Sequence, residues 1–317
     1  MTNKKKEIVY KTKDDRKTAL KNMMRDINKN LGDNAIKFAK DEKAKDRIPF
    51  GIEKIDEFTG GGAVRGNFCI LYGGDSTGKT SLAYAQIAKS QKEGLNCALF
   101  DLEHSFDGIR AVSFGVDLNK LILIENIKTA EQAMDILIKL CKQNVIDYAV
   151  IDSIQAMSPT GQQETKKGAE KSVEDDNIAL LARKMSQFLV MSKDAVYSAN
   201  VGILMIGQVR TGIGPFMSTN VLTGGLAQKH YSLITLLIRR GQKADAPTEK
   251  YKEYLEDESD KQHYKTKERI IGFDCVLKII KKKIGGCQVE GSQLHIPFYF
   301  ETGFSQPEKK DEEENEK

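Results

Sequence analysis

The chain has no long uncharged apolar run, so no membrane-spanning helix is expected. The lysines at its start, Lys4-Lys5-Lys6, lead into no apolar signal region, and a cytoplasmic protein is expected. Its five cysteines (Cys69, Cys97, Cys141, Cys275 and Cys287) are odd in number and irregularly spaced. That spacing speaks against both a disulfide framework and a zinc centre. Cys69, Cys97 and Cys275 fall in apolar strand-like runs, where reduced, buried thiols are expected. No charge of one sign dominates: the formal net charge is +4. Residues 1–48 hold 15 Lys and Arg against 8 Asp and Glu, which leaves the remainder slightly acidic. A basic surface therefore makes no case for nucleic acid, and any such site must be local. No internal repeat is visible. What is present, 317 residues of which 40% are hydrophobic, suffices for a full α/β core with small appendages.

The most informative segment is Gly73-Gly74-Asp75-Ser76-Thr77-Gly78-Lys79-Thr80, which fits the phosphate-loop pattern G-x-x-x-x-G-K-[ST] at every fixed position. It lies between the apolar run Phe68–Tyr72 and a helix-like stretch from Ser81. Glycines let backbone N–H groups curl around a phosphate, and the helix N-terminus adds a favourable partial charge. Lys79 is expected to reach the β- and γ-phosphates, and Thr80 to hold Mg²⁺. A second apolar strand, Tyr148–Ile151, ends in Asp152, a carboxylate suited to orient Mg²⁺ directly or through water. A third, ending Phe100-Asp101-Leu102-Glu103, offers a general base for an attacking water; Glu103 is preferred, with Asp101 as a surface or supporting group. A fourth, Ile203–Gly207, ends in Gln208, an amide able to report the γ-phosphate to the long Gly-rich loop Val209–Gly225 that follows.

Alternating patterns place strands at 67–72, 96–101, 120–124, 147–152 and 201–206, and helices at 79–93, 106–114, 129–143 and 174–198. Such alternation means a parallel sheet covered on both faces. Strands at 231–240, 271–281 and 293–301 are expected to extend it in antiparallel fashion. Between them, 243–267 reads as a charged, exposed insertion, partly helical around Tyr251–Leu255. Before the core, apolar positions at 19/20, 23/24, 27 and 31 predict an amphipathic helix over 16–31, stopped by Gly32. Its apolar stripe would dock on its own domain or on a neighbouring subunit. The expected organisation is therefore 1–48 as helix and linker, 49–304 as the core, and 305–317 as a disordered tail, since Glu308–Lys317 has six acidic, three basic and no apolar residues.

Together these ordered elements resemble the bacterial and phage RecA family of strand-exchange ATPases, collinearly from about Arg16 to Phe304. The matching segments include Gly73–Thr80, Asp101–His104, Phe114–Asp117, Val150–Ser153, Ala182–Gln187, Gln208–Arg210, Thr223–Gly225 and Lys281–Ile284. The resemblance implies an α/β, RecA-like P-loop NTPase core: a mostly parallel sheet flanked by helices, with an antiparallel extension and an N-terminal oligomerisation helix. It implies ATP and Mg²⁺ as cofactors, with Asp107 and Arg110 joining the phosphate loop and Asp152 in binding nucleotide. Glu103 looks like the catalytic glutamate, Gln208 like the γ-phosphate sensor, and Lys281 and Lys283 like a pair reaching the nucleotide of the adjacent protomer. Ser158–Val173 and Val209–Gly224 are similar to the two DNA loops. Arg183, Ser186, Arg210, Gly224 and Gly225 fall where the family touches DNA, with Ile178 and Ile213 as apolar wedges. Arg239, Arg240 and Lys278 resemble a second, weaker DNA site. The implied partners are single- and double-stranded DNA, further copies of the chain in a helical filament, and single-strand-binding and loader proteins, in a bacterium or a phage-infected host. The sequence ends soon after the last core strand, which looks more like a phage or mobile-element relative than a housekeeping protein.

This chain also departs from the family pattern. Arg110 stands where an aromatic usually stacks on adenine, and His230 where a Phe couples neighbouring subunits. Val190 and Val276 replace basic DNA contacts. The leading expectation is an ATPase that polymerises on single-stranded DNA and exchanges it with duplex. The alternatives are a helicase-like motor on the same core and a filament that binds ATP as a switch without exchanging strands.

Overall fold

The computed structural model describes residues 12–32, 35–42, 44–127, 129–156, 173–211, 220–222, 227–254 and 264–305. The chain divides into two compact units, Met1–Lys45 and Asp46–Lys317.

In the first unit, helix α1 spans Lys13–Leu31, starting one turn before the apolar spacing alone implied. The reason is a reciprocal cap: the Asp15 N–H donates to the Thr12 hydroxyl while the Thr12 N–H donates to the Asp15 carboxylate. Gly32, at φ +105°, ends the helix as expected. Leu20, Met23 and Leu31 are exposed on it.

The second unit opens with a small ribbon, β1 (Arg47–Ile48) against β2 (Ala63–Val64), with α2 (Glu53–Thr59) between them. The core follows as β3 (Phe68–Gly73), α3 (Lys79–Lys92), β4 (Cys97–Asp101), α4 (Gly108–Ser113), β5 (Leu121–Ile124), α5 (Ala130–Lys142), β6 (Tyr148–Asp152), α6 (Val173–Ser198) and β7 (Gly202–Thr211). Then come β8 (Asn220–Leu222), α7 (Ala227–Tyr231), β9 (Ser232–Arg240), β10 (Thr248–Tyr254), β11 (Tyr264–Ile270), β12 (Gly272–Lys282) and β13 (Gln293–Tyr299). The main sheet runs β13-β12-β9-β3-β7-β6-β4-β5, with β8 paired to β7. The fold is thus α/β, with a large, mostly parallel sheet, helices on both faces and an antiparallel edge.

Alternation along β3 divides the core. Cys69 and Leu71 face a cluster with Leu82, Ala83 and Ile87 of α3, whereas Phe68, Ile70 and Tyr72 face one with Leu137 of α5 and Phe188 and Leu189 of α6. All five cysteines are free and buried, Cys141 on α5 and Cys287 in a turn included. Among the described residues no helix is long and apolar enough to cross a membrane.

Three expectations need correcting. First, β9 is parallel to β3, so the antiparallel edge begins only at β12. Second, β7 does not stop at 206 but runs to Thr211 and pairs there with β8, so the ends of the long loop form a hairpin. Third, the stretch near Tyr251 is not helical: β10 and β11 form a separate two-stranded ribbon, registered from Thr248↔Ile270 to Tyr254↔Tyr264. The tail and the centre of the insertion, 255–263, lie outside the described residues.

Candidate phosphate-binding site

The phosphate loop joins the carboxyl end of β3 to α3, whose first residue is Lys79. Its shape depends on two glycines. Gly78 has φ +94°, a left-handed conformation that favours glycine, and a Cβ there would press on the Phe298 ring. A Cβ on Gly73 would come within 2.1 Å of the Ile238 carbonyl oxygen, so β9 passes directly beside the loop's first residue. The Lys79 ammonium donates to the carbonyls of Gly73 and Gly74 at 3.2 and 2.6 Å. Burial holds its pKa below that of an ordinary lysine, while the charges of Asp75, Asp152 and Glu103 pull it back up.

Sheet register gathers the other groups. Gln208 of β7 lies directly beside Gly73. On the next strand, Asp152 ends β6 and accepts a hydrogen bond from the Thr80 hydroxyl at 2.8 Å. Burial raises the Asp152 pKa to about 6; the Thr80 bond and Lys79 oppose that rise, and Glu103 and Asp101 add to it. Asp101 pairs in register with Asp152. Its carboxylate is almost fully buried and accepts the N–H groups of Ser105 and Phe106, so it shapes the turn after β4. Glu103, two residues on, is exposed and accepts a hydrogen bond from the Ser153 hydroxyl, which holds it next to Asp152. In the sequence only its place after the strand-ending Asp marks Ser153.

Thr80 and Asp152 are oxygen donors of the kind a hard divalent cation takes. No group of three or more His, Cys, Asp or Glu side chains among the described residues could hold a metal unaided. Asp107 caps α4 by accepting the Arg110 N–H at 3.0 Å. The Arg110 guanidinium donates to the carbonyls of Phe300 and Glu301 at 3.0 and 2.9 Å and lies 4.9 Å from the Phe114 ring centre. It therefore ties α4 to the turn after β13.

Lys281 and Lys283 lie elsewhere. The Lys281 ammonium donates to the Ser232 carbonyl and that of Lys283 to the His230 carbonyl, at 3.0 and 2.8 Å. Ser232 pairs with Phe68, the first residue of β3, whereas the phosphate loop begins at the other end, beside Ile238. Six residues of strand separate these ends, roughly 20 Å. Burial, with Lys283 close by, lowers the Lys281 pKa to about 8.

Of the residues read as DNA contacts, Arg183 is exposed and Ser186 half-buried, both on α6. Ile178 is on the same helix and Arg210 on β7, opposite Val221; their side chains lie outside the described residues, as do Ile213, Gly224, Gly225 and the loop 157–172. Arg239 and Lys278 stand on one face of the β9–β12 pair, by alternation from the pairs Arg239↔Val276 and Leu237↔Lys278. Arg240 faces the opposite way, and its guanidinium reaches the phosphate loop. Adjacent arginines on a strand must diverge in this manner, and that signal was present in the sequence.

The family model for the RecA N-terminal domain matches residues 18–298. The chain is 36% identical over 232 residues to Protein RecA of Thermotoga neapolitana, an alignment covering 72% of this chain and 64% of that protein. It is 36% identical to Protein RecA of Marinobacter nauticus, covering 72% and 65% of the two chains. For Protein RecA of Rhodospirillum rubrum the figures are 35% identity, 71% and 54%. The chain thus spans less than two thirds of the length of these relatives.

Proposed function

Because the chain belongs to the RecA family, we propose that it is an ATPase that assembles on single-stranded DNA as a helical filament and pairs it with homologous duplex. The observation that carries this reading is the separation along β3. Lys281 and Lys283 sit at the amino end of the strand, and the phosphate loop opens at the carboxyl end. A lysine pair so far from its own loop would instead serve the loop of a second copy, exchanging its carbonyl contacts for phosphate. Extra positive charge would then reach the transferring phosphoryl group only in the assembled state.

Within one protomer the roles follow from position. Phosphate-loop N–H groups and Lys79 hold the β- and γ-phosphates. Thr80 and Asp152 hold Mg²⁺, which when bound neutralises charge on the phosphates. Glu103, steadied by Ser153, orients the attacking water and takes its proton. Gln208, beside Gly73 and leading into the β7–β8 hairpin, senses the γ-phosphate and passes its loss to the following loop. Asp107 and Arg110 border the nucleotide from α4. Arg183, Ser186, Ile178, Arg210, Ile213, Gly224 and Gly225 line the first DNA strand, and Arg239 with Lys278 supplies a second, weaker surface. The exposed apolar side of α1 docks on the neighbouring copy. Single-strand-binding and loader proteins would act on this filament in the cytoplasm.

The test is hydrolysis of Mg·ATP with and without single-stranded DNA, followed by strand exchange. Stimulation of many-fold that fades as salt rises is expected, because phosphate contacts release counterions. Absence of stimulation at every salt concentration sinks the reading. Stimulation and filaments without exchange would mark an ATP-switched filament instead.

A further inference from the structure

We propose that Arg240 is a positioning residue of the nucleotide site: it fixes the peptide plane between Ser76 and Thr77 in the phosphate loop. This rests on the reading of that loop as the ATP site. Arg240 is the last residue of β9, the strand beside β3. Its Nε and Nη2 both donate to the Ser76 carbonyl oxygen, at 3.0 and 2.8 Å. The guanidinium lies 4.5 Å from the Phe273 ring centre, and Phe273 stacks on Phe298 at 4.6 Å with an interplanar angle of 22°. Phe298 in turn lies beside Gly78 at the far end of the loop, where an added Cβ would come within 3.3 Å of its ring. The arginine therefore lies on an aromatic stack that also borders the loop.

Geometry gives this contact its consequence. A peptide is planar and trans, so the carbonyl of Ser76 and the N–H of Thr77 point in opposite directions. A guanidinium drawing the Ser76 oxygen to one side turns the Thr77 N–H to the other. Ser76 itself has φ +53°, which a residue with a side chain seldom adopts without support. The neighbouring Arg239 makes no such contact; it donates to the Gln293 side chain at 2.8 Å on the opposite face. Of this adjacent pair only Arg240 addresses the loop.

The experiment measures binding of a fluorescent, non-hydrolysable ATP analogue with Mg²⁺ in the absence of DNA, alongside KM and kcat. Arg240→Ala is expected to weaken binding about tenfold, the scale of a lost charge-assisted contact, with kcat at saturation little changed. Arg240→Lys, which keeps the charge but not the paired donors, should fall between. Arg269→Ala, which removes a like charge from the β11 ribbon, should bind as the unaltered protein does. Unchanged affinity in Arg240→Ala, at an unchanged thermal midpoint, overturns the proposal, and so does an equal loss in Arg269→Ala. If Arg240→Ala does not fold, Arg240→Lys decides: a raised KM at constant kcat supports the proposal, and an unchanged KM overturns it. Failure of the unaltered protein to bind the analogue would instead overturn the ATP-site reading itself.

Discussion

The Thr80 hydroxyl donates a 2.8 Å hydrogen bond to Oδ2 of Asp152, linking residues 72 positions apart. Thr80 is in the first turn of α3, which follows β3, while Asp152 ends β6, and β7 runs between those two strands. The bond therefore bridges the carboxyl edge of the sheet and holds two oxygen donors together. Burial makes the Asp152 carboxylate hard to ionise, with a pKa of about 6 against an ordinary 3.8. Its contribution to stability is full below the unfolded value and is lost as pH rises through about 6. Asp152→Asn keeps an acceptor for Thr80 and removes the charge. In chelator, urea midpoints should show the variant gaining on the unaltered protein between pH 4 and 7, by on the order of 1–3 kcal/mol. Its affinity for Mg·ATP at pH 7 should fall.

Glu103→Gln is expected to leave nucleotide binding and filaments intact and to slow hydrolysis by about 10²–10⁴-fold, the usual worth of a positioned general base. Asp101→Asn should differ, since Asp101 holds the turn through the N–H groups of Ser105 and Phe106. Its principal effect should be a lower thermal midpoint. Single-turnover rates and melting curves of the two variants separate these roles.

Lys281, with a pKa lowered to about 8, should set an alkaline limb on the DNA-stimulated kcat/KM. Rate would fall above pH 8 as the ammonium loses its proton. Stability has the opposite slope: between about 8 and 10.5 the native state holds fewer protons than the unfolded chain, so raising pH favours folding. Lys281→Arg keeps its charge and should move the limb upward. An unmoved limb would assign it to another group.

Gly73→Ala should destabilise by about 1–3 kcal/mol, because its Cβ would meet the Ile238 carbonyl at 2.1 Å in a well-packed sheet. Gly285→Ala, with nothing within 4 Å of its added Cβ, should be near neutral. Denaturant midpoints compare them directly.

Much of this was legible in the chain. Periods of 2 and 3.6 gave the core strands and helices to within a few residues, since each element buries a stripe against the sheet. The phosphate loop and the strand-ending Asp152 were equally plain. The ribbon of β10 and β11 was not: Glu249-Lys250-Tyr251-Lys252-Glu253 is charged on both faces, so no apolar alternation marks it as strand. The direction of β9 was hidden too, because a short helix, α7, rather than a long one returns the chain to the sheet. Asp101 and Glu103 were distinguishable only once the end of β4 was known, since two residues decide whether a carboxylate is buried in the turn or exposed at the rim. The start of α1 depended on Thr12 and Asp15, polar residues that apolar spacing cannot see.

The phosphate loop lies early in the chain, yet Ile238, Arg240, Phe273 and Phe298, all far downstream, define its outer wall. During synthesis, residues 73–80 emerge long before their supports. At roughly 5–20 residues per second, more than ten seconds pass before Phe298 is made. A nascent chain thus carries the loop without its finished shape, and the outer wall is complete only with the last strand.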